Sequence, residues 1–138
     1  MKYFIASRWQ NMKKVQTLTE NLKNLGNTVF SYVPDERNFV PERELEAGLE
    51  MFKKIKNWRQ DNKLRNIFEK SLAGLEDSDA VILLLPAGKT SHIEAGIGYG
   101  LGKHMILIGE PESAEPHYLV FDTWYKTIEE FVSALRSK

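Results

Sequence analysis

Asp79-Ala-Val-Ile-Leu-Leu-Leu-Pro86 is an apolar run with no polar residue at alternate positions. A strand with one wet face alternates, whereas a strand covered by helices on both faces does not, so this segment reads as the centre of a parallel sheet. Directly after it comes a short polar loop, then a helix-like segment from Ser91 to Gly102 that carries Glu94 and the alternate glycines Gly96, Gly98, Gly100 and Gly102. Two familiar phosphate loops fail on spacing. A Walker loop needs glycine five positions before Gly88, where Leu83 stands; G-x-G-x-x-G fails because its sixth position is Leu101 counted from Gly96 and Lys103 counted from Gly98.

Working outward, Tyr3 to Ser7 reads as a strand and Asn11 to Leu25 as an amphipathic helix through Val15, Leu18, Leu22 and Leu25, with Gly26 as its C-cap. Thr28 to Val33 is a second strand, stopped by Pro34-Asp35. Helices are expected over Glu42 to Trp58, with Leu45, Leu49, Phe52 and Ile55 on one face, and over Asn62 to Leu75, with Asp61 as N-cap. Beyond the central run, Met105 to Gly109 is a buried strand, Tyr118 to Phe121 a short one, and Lys126 to Leu135 a closing helix. This alternation predicts one α/β domain over residues 1–138, a doubly wound, mostly parallel sheet of about five strands with helices on both faces. Such sheets bind ligands outside the carboxyl ends of their strands, at the switch point in strand order. The loops to watch are Ser7-Arg8-Trp9, Pro86 to Ser91, and Gly109-Glu-Pro.

Composition narrows the function classes. The chain has 138 residues, a formal net charge of zero and no cysteine. There is no electrostatic footprint of a nucleic-acid binder, so no nucleic acid polymer is expected as partner, and any anionic ligand must be met locally. The missing cysteines remove disulfides, thiol nucleophiles and thiolate metal sites, and fit a cytoplasmic protein. The apolar run before Arg8 is too short for a signal peptide or a membrane span, so no membrane partner is expected. His92 and His117 show no metal-ligand spacing with each other or with an acid pair; neither a metal nor another cofactor is expected.

Glu94 is expected in the first turn of its helix, where the positive end keeps a carboxylate ionised. An ionised carboxylate suits nucleophilic attack on an anomeric carbon better than proton donation. The ordinary alternative is a helix-terminal acid that only favours its dipole. The helical glycines cost about 1 kcal/mol each relative to alanine. They point to close packing on the sheet or on another subunit, or to room for a ligand beside Glu94. Arg8 can grip a phosphate or carboxylate bidentately, and Ser7, Lys89, Thr90 and Ser91 are donors in the same region. Trp9, Trp58 and Trp124 can stack on a base, although aromatic packing suits each as well.

Three stretches, Lys2-Tyr-Phe-Ile-Ala-Ser7, Ser78 to Pro86 and Gly88 to Lys103, together resemble the nucleoside 2-deoxyribosyltransferase superfamily, including deoxynucleoside 5′-monophosphate N-glycosidases. The resemblance implies a flavodoxin-like sheet and a homo-oligomer, a dimer or larger, whose site borrows a residue from the neighbouring subunit; the stretch from Glu115 to Tyr118, with His117 and Tyr118, is the expected donor. It implies Glu94 as nucleophile, held by Tyr3 of the first strand. It implies Ser7, Arg8, Gly88 and Ser91 as contacts to the sugar or its 5′-phosphate. One position departs from the pattern. Where the family places an aspartate that orients the sugar and protonates the leaving base, eight residues before Asp79, this chain has Ser71, which is no acid at neutral pH.

Three functions therefore compete: cleavage or transfer at the N-glycosidic bond of a small nucleoside or nucleotide, a non-catalytic nucleotide-binding or regulatory module, and an NAD-type glycohydrolase. Tyr3 with Glu94 favours the first or third, and Ser71 the second.

Overall fold

A computed structural model describes residues 1–31 and 52–138. Among the described residues five strands, β1 (Lys2–Ala6), β2 (Thr28–Phe30), β3 (Ala80–Leu84), β4 (His104–Ile108) and β5 (Thr123–Tyr125), form one sheet in the order β2-β1-β3-β4-β5. Every pairing is parallel, with Ile82 of β3 level with Ile5 of β1 and Ile106 of β4. All five residues of β3 are buried, as the unbroken apolar run requires. This is a flavodoxin-like α/β architecture.

Helices α1 (Met12–Asn24) and α4 (Ile128–Arg136) cover one face, where Val15, Leu18, Leu22, Phe131 and Val132 meet Ile5, Ile82 and Ile106. Helices α2 (Asn62–Asp77) and α3 (Lys89–Gly100) cover the other, where Leu75 and Ala95 meet Phe4, Val81, Leu83 and Leu107. Full burial of each such side chain contributes roughly 1.5–3 kcal/mol, which is why the apolar stripes fix the faces. The helix signals act as the sequence indicates. Gly26 sits at φ 88° just past α1, with its N–H on Lys23 O, and Asp61 Oδ1 accepts the Leu64 N–H at 2.9 Å to cap α2.

Several boundaries differ from the sequence reading. Residues 42–51 of the expected Glu42–Trp58 helix, and the end of the second strand at 32–33 with Pro34-Asp35, lie outside the described residues. Residues 52–54 are helical, and Trp58–Gln60 form a separate 3-10 turn before α2. Of the expected strand Tyr118 to Phe121, residues Tyr118 to Val120 instead belong to a 3-10 helix, Pro116–Val120, with Phe121 as its C-cap. Proline is pre-set for a first helical position, and the edge of the sheet is filled three residues later by Thr123-Trp-Tyr125 against Ile106 to Ile108. Helix α3 begins at Lys89, two residues before the expected Ser91. Among the described residues no helix is long and apolar enough to cross a membrane.

Candidate active site

The chain leaves β1 toward α1 on one face and β3 toward α3 on the other, so the switch point lies between these two neighbours. Their carboxyl ends are fastened together. Ser7 Oγ donates to Leu84 O at 2.9 Å, while Asn11 Nδ2 donates to Ser7 Oγ at 2.9 Å and to Pro86 O at 2.5 Å. Asn11 is buried at 5% exposure and was not singled out from sequence; a polar residue on the apolar side of a helix start, four after Ser7, is the signal that marks it. Ser7, expected to donate to a ligand, has spent its proton on Leu84 O and serves as a link in this clip. Arg8 stands exposed at the rim, where its carbonyl accepts the Asn11 N–H at 3.0 Å.

Glu94 lies in the second turn of α3, not the first. Ser91, Ala95 and Gly98 form the buried side of α3, and Glu94 turns toward α2, where Ser71 Oγ donates a short hydrogen bond to Glu94 Oε2. Burial pushes the Glu94 carboxyl above its ordinary range, and the Ser71 bond pulls it partly back. The expected downward pull of the helix end is thereby corrected: Glu94 stands a turn away from that end, and loss of water moves its pKa up. Ser71, located by counting back from Asp79, is buried beside the glutamate. Oε2 is fixed, and among the described residues Oε1 has no partner.

Tyr3 does not hold Glu94. Side chains alternate along a strand, and Tyr3 points to the α1/α4 face, edge-on to Phe131 at 6.2 Å, whereas Glu94 belongs to the α2/α3 face. Tyr3 also pairs with Ala80 at the amino end of β3, away from the crevice. Its hydroxyl is pushed to a higher pKa by burial, then by Tyr125 and Asp79.

The stretch from Glu115 to Tyr118 divides. Tyr118 is half-buried, with its hydroxyl 2.9 Å from His92 Nε2, so that hydroxyl is engaged within its own chain. His92 Nδ1 lies 2.7 Å from Gly88 O. A carbonyl only accepts, so Nδ1 carries the proton and, in the neutral ring, Tyr118 donates to Nε2. His117 is exposed on the 3-10 turn. Gly88 is the N-cap of α3, exposed, with open space where a Cβ would stand. Ser91 is buried at 3% exposure beneath α3, away from the rim on which a ligand contact was expected.

Two of the alternate glycines have a reason in the structure. At Gly98 a Cβ would lie 2.7 Å from Val81 Cγ2, so close packing on the sheet requires glycine. Gly102 ends the helix at φ 76°. Gly96 and Gly100 face open space.

Solved structures share this fold. A CMP N-glycosidase, BcmB, from Clostridium botulinum aligns over all of both chains with 18% identity and a TM-score of 0.60. A 2-deoxyribosyltransferase from Bacillus psychrosaccharolyticus aligns over 96% of this chain and 90% of its own, with 18% identity and a TM-score of 0.67. A conserved protein from Enterococcus faecalis V583 aligns over 99% and 98%, with 13% identity and a TM-score of 0.56. No family model matches the chain, and no curated protein matches it in sequence.

Proposed function

We propose that this protein cleaves or transfers at the N-glycosidic bond of a small nucleoside or nucleotide, with Glu94 as nucleophile. The observation that carries the proposal is the Ser71 to Glu94 hydrogen bond, which fixes one carboxylate oxygen and leaves the other able to attack. The shared fold with an N-glycosidase and a deoxyribosyltransferase supports the reading. Oε1 attacks C1′ as the C1′–N bond breaks, giving a glycosyl ester; water or an acceptor base then attacks C1′ and restores the carboxylate. Desolvation makes an ionised Glu94 more basic, and so a better nucleophile, than a carboxylate in water. Arg8 at the rim suits the 5′ end of a nucleotide. A second copy of the chain completes the site, with exposed His117 as the residue it offers.

The test is a panel of nucleosides, nucleoside monophosphates and dinucleotides, followed by chromatography for free base. Release that disappears in Glu94→Ala supports the assignment; release unchanged in that variant removes Glu94 from the mechanism. A non-catalytic nucleotide-binding module is the second reading, favoured by the hydroxyl of Ser71 where an acid would serve turnover. Binding of panel members without release of any base selects it.

A further inference from the structure

Leaving-group chemistry at Glu94 narrows the substrate class, on the reading that Glu94 is the nucleophile. The side chain hydrogen-bonded to Glu94 is a hydroxyl with one proton, and Ser71 gives that proton to Oε2. Serine does not ionise near neutral pH, so the position beside the nucleophile supplies no acid to a departing base. A neutral purine or pyrimidine that leaves without a proton departs as an anion, which is costly in a half-buried site. A base bearing a positive ring charge departs neutral.

Phe68 supplies a second observation. It is 52% exposed and lies one helical turn before Ser71 on α2. Gly74, on the side of α2 toward β2, faces the Phe30 ring; by helical spacing Phe68 falls on the opposite side of Ser71 around the helix. A large apolar ring left in solvent one turn from the residue that holds the carboxylate suits a flat cation, which gains from both the ring face and the negative charge.

We propose that the preferred substrates are N-glycosides whose base is already cationic, a pyridinium or an N7-alkylated purine, bound against Phe68. Oε1 of the ionised carboxylate forms the bond to C1′. The C1′–N pair returns to the ring nitrogen and cancels its charge, so no proton is required. Water then attacks C1′ of the ester, Glu94 leaves as carboxylate, and the proton lost by water passes to solvent.

The experiment measures kcat/KM for the full chain on nicotinamide mononucleotide, on N7-methylguanosine 5′-monophosphate and on guanosine 5′-monophosphate, with the purines in ribo and 2′-deoxyribo forms. The cationic members are expected to exceed the parent guanosine nucleotide by at least ~100-fold, the lower end of what a general acid would otherwise supply. Ser71→Asp, which provides an acid, is expected to cut that ratio at least tenfold. Phe68→Ala is expected to raise KM for the cationic members by roughly 3- to 30-fold with little change in kcat, and Phe68→Trp to restore it. A parent nucleotide cleaved within tenfold of its methylated form overturns this inference and leaves the proposed function standing. Absence of release from all of these substrates also overturns this inference, and the proposed function then stands or falls on the wider panel. The wild-type ratio is decisive even if Ser71→Asp does not fold.

Discussion

Replacing Asn11 by alanine tests the idea that one buried amide fastens the two loops of the crevice. The side chain makes two hydrogen bonds at 5% exposure, to Ser7 Oγ at 2.9 Å and to Pro86 O at 2.5 Å. Each contributes about 0.5–1.5 kcal/mol net, and a part-buried carbonyl left without a donor costs a further ~1 kcal/mol. The loss is therefore about 2–4 kcal/mol. Typical unfolding entropy, ~2.1 cal/mol/K per residue, gives about 0.3 kcal/mol/K for 138 residues, so the melting temperature should fall by roughly 10 °C. Urea titration monitored by tryptophan fluorescence measures the free energy directly. Because Ser7 Oγ is shared, Ser7→Ala and Asn11→Ala should be non-additive, with a coupling of about 1 kcal/mol in the double-mutant cycle. A loss below about 0.5 kcal/mol for Asn11→Ala, or strict additivity with Ser7→Ala, would refute the clip.

Glu94→Gln should stabilise the fold relative to wild type at pH 8 and not at pH 4. Its carboxyl is raised above the ordinary 4.5 by burial, so ionisation costs stability, absent below 4.5 and present above the folded value; a melting curve at each pH checks this, and an equal difference at both would contradict it. Base release by the wild type should rise with pH through the same titration, because only the ionised form attacks. Gly98→Ala should destabilise by ~1–3 kcal/mol by forcing a Cβ against Val81, whereas Gly96→Ala should stabilise by up to ~1 kcal/mol in open space; chemical denaturation of the pair separates the two cases. Light scattering should give a dimer or a larger even-numbered assembly, and a strictly monomeric protein that binds nucleotide at full affinity would sink the shared site.

Most of the fold was legible because it depends on long apolar periods. The unbroken run of β3 demanded cover on both faces, and the stripes of α1 and α2 supplied it. The edge of the sheet was less legible. Tyr118 to Phe121 and Thr123 to Tyr125 are both short and aromatic, and only pairing with β4 decides between them. Within the site, counting brought Ser71 to Glu94 because both stand on elements tied to β3. Tyr3 failed on parity: a strand's period of two sends neighbours to opposite faces, and Phe4, not Tyr3, faces the α2/α3 layer. The direction of the Glu94 shift failed on a boundary, since two residues of extra helix place it in the second turn, in a desolvated contact that raises its pKa. Asn11 escaped notice because its role exists only once β1 and β3 lie side by side.

The His92 ring offers a window on this site that needs no added label. With Nδ1–H held on Gly88 O, the neutral ring takes the tautomer that is less common in free histidine, with Nε2 receiving the Tyr118 proton. In that tautomer its two nitrogens should give well-separated 15N resonances. Because Gly88 caps the helix that carries Glu94, a ligand entering the crevice should shift those signals, which makes a magnetic-resonance titration possible for molecules that bind without reacting.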